Sequence, residues 1–272
     1  MIQFKNEHLT IFESSLFQTT STVVRANSFI LIVDPCWLPH EVHDIRSYVE
    51  TIRGDRKLFL LFTHADFDHI IGYRAFPEAK TIGSIGIVDH PEKARKLRLV
   101  HEFDWDYYIQ RDYPIEFPEI DIVIKEDKET ITIGDTDITF YQAPGHTHDG
   151  LFTVIDSASV FIAGDYLSDF EFPFIYHSAA SYVKTLETAR SILREHTISV
   201  LVPGHGKTTA SIDEMERRIT MGLHYIKTVR QAVTEGKQGS LDQLIRDFAF
   251  PSQFVKQCHA DNIAIIQKEM GL

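Results

Sequence analysis

The sequence predicts an α+β sandwich followed by a helical tail, and three observations carry that prediction. Over the first 210 residues, short runs rich in Val, Ile, Phe and Thr outnumber the amphipathic stretches set between them. Pairs such as "ETITIGDTDITFY" have the form of hairpins rather than of parallel crossovers. After Ser211 the spacing turns helical: "SIDEMERRITMGLHYIKTVRQAVTEG" opens with Ser and places Glu214 three positions on, a capping-box signature. Two regions are therefore expected, a mixed domain over 1–210 and a helical extension over 211–272 packed on it.

In chain order, strands are expected at 9–13 and at 22–33, each an apolar run bounded by polar turns, and a helix at 40–52 on amphipathic spacing. The unbroken apolar "LFLLF" places a buried strand at 58–63, with helix 68–76, strand 80–83 and a helix over about 91–110 after it. Segment 100–120, "VHEFDWDYYIQRDYPIEFPEI", holds too many aromatics and prolines for a plain helix and is read as a covering insertion. Strands follow at 129–133, 137–143, 151–156 and 159–163, then helix 180–195 and strand 198–202. Shorter helices near 240–248 and 251–269 close the chain.

Composition narrows the function. A chain of 272 residues with 43% hydrophobic content, 19 Phe and 10 Tyr buries a sizeable core and keeps aromatic mass for a pocket. Its formal charge of −12 repels polyanions, and the basic run "EKARKLR" at 92–98 is read as a solvated helix face. Nucleic acid and membrane are not expected as partners. Cys36 and Cys258 stand far apart in no metal-binding spacing and are expected to be free thiols. No apolar run approaches 18 residues, and the first 25 lack a basic start with an apolar core, so a soluble cytoplasmic protein acting on a small molecule is expected. The oligomeric state is left open, with a homodimer as one option.

Five apolar runs end in metal-ligand residue types: "FILIVD" in Asp34, "LFLLFTH" in His64, "ITFYQAPGH" in His146, "SVFIAGD" in Asp165 and "SVLVPGH" in His205. Sites gather beyond strand ends, where side chains of several strands converge. In the stretch "THADFDH", residues two apart in an extended segment project together, so His64 and Asp66 can share one ion, while Asp68 and His69 turn toward a second. The expected sets are His64, Asp66 and His146 for one ion and Asp68, His69 and His205 for the other, with Asp165 bridging. Three or four protein ligands per ion leave a position open, as a reactive site needs.

"THADFDH", "APGHTHDG", "IAGDYL" and "VPGHG", preceded by "LIVDP", resemble the ordered motifs of the metallo-β-lactamase superfamily across roughly residues 22–210. The resemblance implies a four-layer αββα sandwich, a catalytic domain in 1–210, a dinuclear centre at one edge and mostly hydrolytic chemistry. It matches Asp34 to an aspartate that braces the metal loop. The usual His-x-His-x-Asp-His pattern has Asp66 here as its second histidine. A carboxylate is harder than imidazole, so manganese or iron stand beside zinc as options for the two divalent ions.

The stretch 165–189 resembles the one after the bridging aspartate in glyoxalase II-like and lactonase-like relatives, which makes Tyr176, His177 and Ser178 candidates for substrate contact, with helix capping by Ser178 or Ser181 the alternative. His148, beside a ligand, and His259, with Asn262 on one helical face, are further candidates. Asp149 is read as a loop polar group. Trp105, Tyr107, Tyr108 and Tyr113 are read either as core or as a lid. The expected activity is hydrolysis of a small thioester, lactone or other carboxylic ester by a hydroxide generated on the metals, with Asp68 orienting it and shuttling its proton. A phosphodiesterase or nuclease-like hydrolase and a diiron oxidoreductase or redox sensor are the alternatives.

Overall fold

A computed structural model describes residues 1–237, 241, 243–246, 250 and 252–272. Seven strands make the first sheet in sequence order: β1 (Ile2–Lys5), β2 (Leu9–Glu13), β3 (Thr20–Arg25), β4 (Phe29–Val33), β5 (Lys57–Leu61), β6 (Lys80–Ser84) and β7 (Ile122–Ile124). The pairs from β1 to β4 are antiparallel and those from β4 to β7 parallel. The second sheet runs β12 (Val200–Val202), β11 (Val160–Ile162), β10 (Leu151–Ile155), β9 (Thr136–Gln142) and β8 (Glu129–Ile133), with only the β11–β12 pair parallel.

Alternation along β4 shows how the layers form. Phe29, Leu31 and Val33 point to the second sheet and meet Phe140, Leu151 and Val160 in the core between the sheets. Ile30 and Ile32 point the other way, onto Val42, Ile45 and Val49 of α1 (Pro39–Arg53). On the far side, Phe152, Phe161 and Leu201 pack beneath α5 (Ala179–Glu195), α6 (Ile212–Thr234) and α7 (Gln253–Glu269). The layers are therefore helix, sheet, sheet, helix, the αββα sandwich expected of the motifs. Met215, Ile219, Ile226 and Val229 of α6 belong to the same core as the second sheet's outer face.

Several elements differ from expectation. The run 22–33 is two strands, because Ala26 donates to Phe29 O and closes a turn through Asn27 and Ser28. The helix expected at 68–76 is one turn, α2 (Phe67–Ile70), followed by a 3₁₀ turn at Tyr73–Ala75. Gly72 between them lies so close to the chain that a Cβ would stand 2.2 Å from Pro35 O, so the backbone must bend there. Strands β1 and β7 and the single-turn α3 (Ile85–Val88) were not expected, being too short to show a period. Helix α4 (Lys93–Asp106) runs into the segment read as an insertion, and only the part from 107 to 121 is irregular. Ser211 caps α6 by accepting from Glu214 N, but Glu214 turns its carboxylate to Arg217 and Arg218 instead of completing a capping box. Of the helix expected at 240–248, residues 240, 242, 247 and 248 lie outside the described residues.

Candidate metal centre

Each motif residue stands where an element ends. His64 and Asp66 follow β5, Asp68 and His69 lie in α2, His146 follows β9, Asp165 follows β11 and His205 follows β12. Two glycines let these loops close. A Cβ on Gly204 would meet Asp165 Oδ1 at 2.1 Å, and Gly145, at φ +140°, would drive one to 2.5 Å from Tyr182 Cα.

The seven side chains converge. His64, Asp66 and His146 offer ligand atoms to one another on one side, Asp68, His69 and His205 do so on the other, and His64, His69 and Asp165 form a set between them. Asp165 Oδ2 lies 3.6 Å from His64 Nε2, 3.2 Å from His146 Nε2 and 3.3 Å from His205 Nε2, and its Oδ1 lies 3.0 Å from His69 Nε2. Asp66 Oδ2 is 3.4 Å from His146 Nε2, and Asp68 Oδ2 is 3.4 Å from His205 Nε2.

The far side of each ring fixes its tautomer. His69 Nδ1 donates to Asp34 Oδ2 at 2.9 Å, His146 Nδ1 to Phe174 O at 2.7 Å and His205 Nδ1 to Phe17 O at 2.9 Å. His64 Nδ1 donates to Thr63 Oγ1 at 3.0 Å, while that hydroxyl donates onward to Asp34 Oδ2. With the proton on Nδ1, a neutral ring turns its Nε2 lone pair inward. Four such lone pairs therefore face three carboxylates. Among the described residues, the buried Nε2 atoms of His64, His69 and His146 and Oδ1 of Asp165 have no hydrogen-bond partner. A buried cage of acceptors without donors is stable only around cations, so this donor set fits bound metal.

The titration behaviour says the same. Burial opposes charge on the imidazoles, but the carboxylates outweigh it: His146 is pushed up to about 10, and His69 and His205 are held well above the usual imidazole range. Burial likewise opposes ionisation of Asp66 and Asp165. Lys96 first, then the imidazoles, nonetheless hold Asp66 well below the carboxylate range, and His205, His69 and His64 do so for Asp165. The cage attracts positive charge from any source.

Asp34, in the left-handed region at φ +46°, receives Thr63 N, Thr63 Oγ1 and His69 Nδ1, so it braces two of the imidazoles and the loop between them. Asp149, read as a loop polar group, accepts from Ala65 N and so holds the same loop from the other side. A fourth set, His90, His148 and Asp149, is also close enough to share an ion. However, His90 Nδ1 accepts from Glu92 N, which puts the ring proton on Nε2 and leaves that atom a donor. The fourth set is thus suited to hydrogen bonding rather than to metal.

The centre opens into a cavity of about 770 Å³. His148, Tyr176 and His177 line it, as the sequence suggested. His259 does not: it is buried on the face of α7 turned to α6, where its Nδ1 meets Tyr225 OH at 2.7 Å. Asn262, one turn on, grips the loop after Asp165, accepting from Ile175 N and donating to Pro173 O. Ser178 caps α5 through Ser181 N. Trp105, Tyr107 and Tyr108 are exposed at the end of α4, 83%, 67% and 94% respectively, and are neither core nor lid. Tyr113 packs against the core beside α1. Several wall residues, Phe17, Lys96, Glu171 and Phe254 among them, escaped the sequence reading. Lys96 sits against Asp66 Oδ1, Phe254 comes from α7, and Glu171 has its carboxyl pushed up to about 7 by burial. Lys96 left a trace in the basic run set aside as surface, and Glu171 lies in the stretch 165–189.

The sequence profile of the metallo-beta-lactamase superfamily matches residues 15–205. No curated protein matches the chain. Among solved structures it is similar to the stereoselective inverting sec-alkylsulfatase Pisa1 from Pseudomonas sp., with 10% identity and a TM-score of 0.72 over 99% of this chain and 50% of that one. It is also similar to a metallo-beta-lactamase from Pontibacter korlensis, with 13% identity and a TM-score of 0.58 over 82% of this chain and 98% of the other. The B3 metallo-beta-lactamase BLEG-1 gives 19% identity and a TM-score of 0.57 over 78% and 99% of the two chains. The chain spans about half the length of the alkylsulfatase, and these likenesses are of fold. No helix among the described residues is long and apolar enough to cross a membrane. With its profile matched over most of its length, its four layers and its strand-end cage, the chain belongs to the metallo-beta-lactamase superfamily.

Proposed function

We propose that this protein is a hydrolase of ester-like bonds in small molecules, such as thioesters, lactones or other carboxylic esters, working with two divalent ions. The observation that carries the proposal is the cage of four inward Nε2 lone pairs and three carboxylates, each ring anchored from behind. His64, Asp66 and His146 would hold one ion and Asp68, His69 and His205 the other, with Asp165 between them. When bound, the ions lower the pKa of a water at the centre and stabilise negative charge that develops on the carbonyl oxygen.

The protein's own groups do the rest. Asp68 lines the cavity beside the second set, placed to orient a water and move its proton. Glu171 lines the same cavity, and in this reading it faces the leaving group. Phe174 O, Phe17 O and Asp34 keep the imidazoles aimed, which spares the centre reorganisation.

The carboxylate at Asp66 bears on metal identity. Lys96 Nζ engages its Oδ1 and leaves Oδ2 for the centre. An Asp–Lys pair carries no net charge, as a neutral imidazole does, so the centre keeps the charge balance of the usual motif and zinc is favoured over manganese or iron. Elemental analysis of protein purified without added metal or chelator, followed by a panel of thioesters, lactones, carboxylic esters and phosphodiesters, tests the proposal. About two zinc ions per chain with ester turnover supports it. Two irons with an oxygen-sensitive spectrum would transfer the case to a redox role, and a chain that takes up no metal would end it.

A further inference from the structure

We propose that the cavity beside the centre is a subsite for an alkyl or aryl chain, so that the substrate is an ester-like molecule with an apolar body of several carbons. This rests on the hydrolase reading above and names the class of molecule it acts on. A continuous series of rings crosses the cavity wall. Phe67 packs edge-on to Trp37 at 5.2 Å, Trp37 stacks with Phe17 at 6.3 Å, Phe17 meets Phe254 at 5.7 Å, and Phe254 meets Phe174 at 5.7 Å. All five rings line the cavity, together with Ile265 of α7.

The series joins five parts of the chain that share no local reason to meet: the β2–β3 loop, the loop after β4, α2, the loop after Asp165, and α7. The β2–β3 loop is held hard in place. Phe17 and Gln18 both adopt left-handed backbone, at φ +53° and +49°, and Phe17 O receives His205 Nδ1. The ring is thereby fixed at a set distance from the centre. Phe17 and Phe254 each remain 47% exposed although they touch, so a chain laid along them removes further aromatic surface from water.

The charges of the cavity argue for an apolar body over an anionic one. Its two basic side chains are both engaged, Arg95 with Glu92 and Lys96 with Asp66. Lys96, buried against Asp66, is not left over for a phosphate or sulfate remote from the centre, and the more exposed Arg95 is outnumbered by the carboxylates of Glu92, Glu171 and Asp261 on the same lining. A molecule whose scissile carbonyl lies at Asp68 and Asp165 can lay its remaining atoms along the rings.

The test is kcat/KM of the metal-loaded enzyme on 4-nitrophenyl esters from acetate to decanoate, for the native chain, Phe254→Ala and Phe17→Ala. The expected result is a rise of about fourfold per methylene until the wall is covered, the burial of one CH₂ converted to rate. Each variant should lower the octanoate-to-acetate ratio by about tenfold or more. A flat series, or a ratio that both variants leave unchanged, overturns the proposal even if esters are hydrolysed. Should no ester be turned over, the hydrolase reading for carboxylic esters fails by itself, and calorimetry of octanoate against acetate on the loaded protein decides the subsite. Octanoate binding that Phe254→Ala weakens supports it, and equal binding of the two acids overturns it.

Discussion

The cavity has two unlike sides. Its floor, the cage around Asp165, is almost wholly buried and polar, and every imidazole is anchored at Nδ1. Its wall is aromatic, with Phe17 and Phe254 half-exposed, and is held by ring packing and by a loop in left-handed backbone. The floor is built from strand ends inside residues 15–205, the range of the family match, whereas α7 contributes to the wall from outside it. The contrast teaches a division of labour. Chemistry is fixed by side chains that cannot move without leaving buried acceptors uncompensated, and choice of substrate is left to surfaces that can change at little cost in stability.

The largest expected effect comes from the middle of the floor. Asp165→Ala removes the group that lies between both ligand sets, and metal per chain should fall from about two toward none, with turnover lost, as elemental analysis and any active substrate will show. Retention of both ions would mean that Asp165 is not shared. Next comes Asp68→Asn, which should keep the fold and most of the metal but cut kcat by about 10²–10⁴. Activity within a few-fold of native would remove Asp68 from the proposed role.

Between floor and wall stands Asn262, which reaches His146 only through the loop it grips: Asn262 holds Pro173 and Ile175, and Phe174 O between them receives His146 Nδ1. Asn262→Leu should weaken metal binding by about 10–100-fold. It should also cost about 1–3 kcal/mol in thermal unfolding, since two buried backbone groups lose their partner. A metal competition titration on the folded fraction separates the two effects, and unchanged affinity would cut the wall from the floor. A smaller shift is expected for Lys96→Met. With Asp66 freed to bring its full charge and both oxygens to the ion, the ratio of manganese to zinc affinity should rise. An unchanged ratio, with only KM altered, would make Lys96 a substrate contact. Smallest of all is Trp105→Ser: the ring is 83% exposed and touches neither side, so unfolding should shift by less than about 0.5 kcal/mol and kcat/KM should hold.

The same division governs what could be read from the sequence. His64, Asp66, His146 and their partners were legible because a buried strand has no structural reason to release into imidazole or carboxylate five times over. The four layers were expected from the resemblance of the motifs, and β4 and β5, apolar on both faces, accord with cover on each. Lys96 was not legible. It lies 30 residues from Asp66, in a basic run with the exposed Arg95 and Arg98, and no local pattern separates it from them. The wall was illegible for a related reason: Phe17 and Phe254 belong to a loop and a helix face that meet only in the tertiary fold. The single strand expected at 22–33 and the overlong helix at 68–76 failed on short turns, one through Asn27 and Ser28 and one at Gly72 under Pro35.

The contact between Phe17 and Phe254 also sets an order in time. A ribosome completes His205, the last side chain of the cage, well before it reaches α7, which begins at Gln253. The nascent chain thus holds every candidate metal ligand while the cavity still lacks the part of its wall that α7 supplies. Phe17 meets Phe254 only after every candidate ligand is already in the chain.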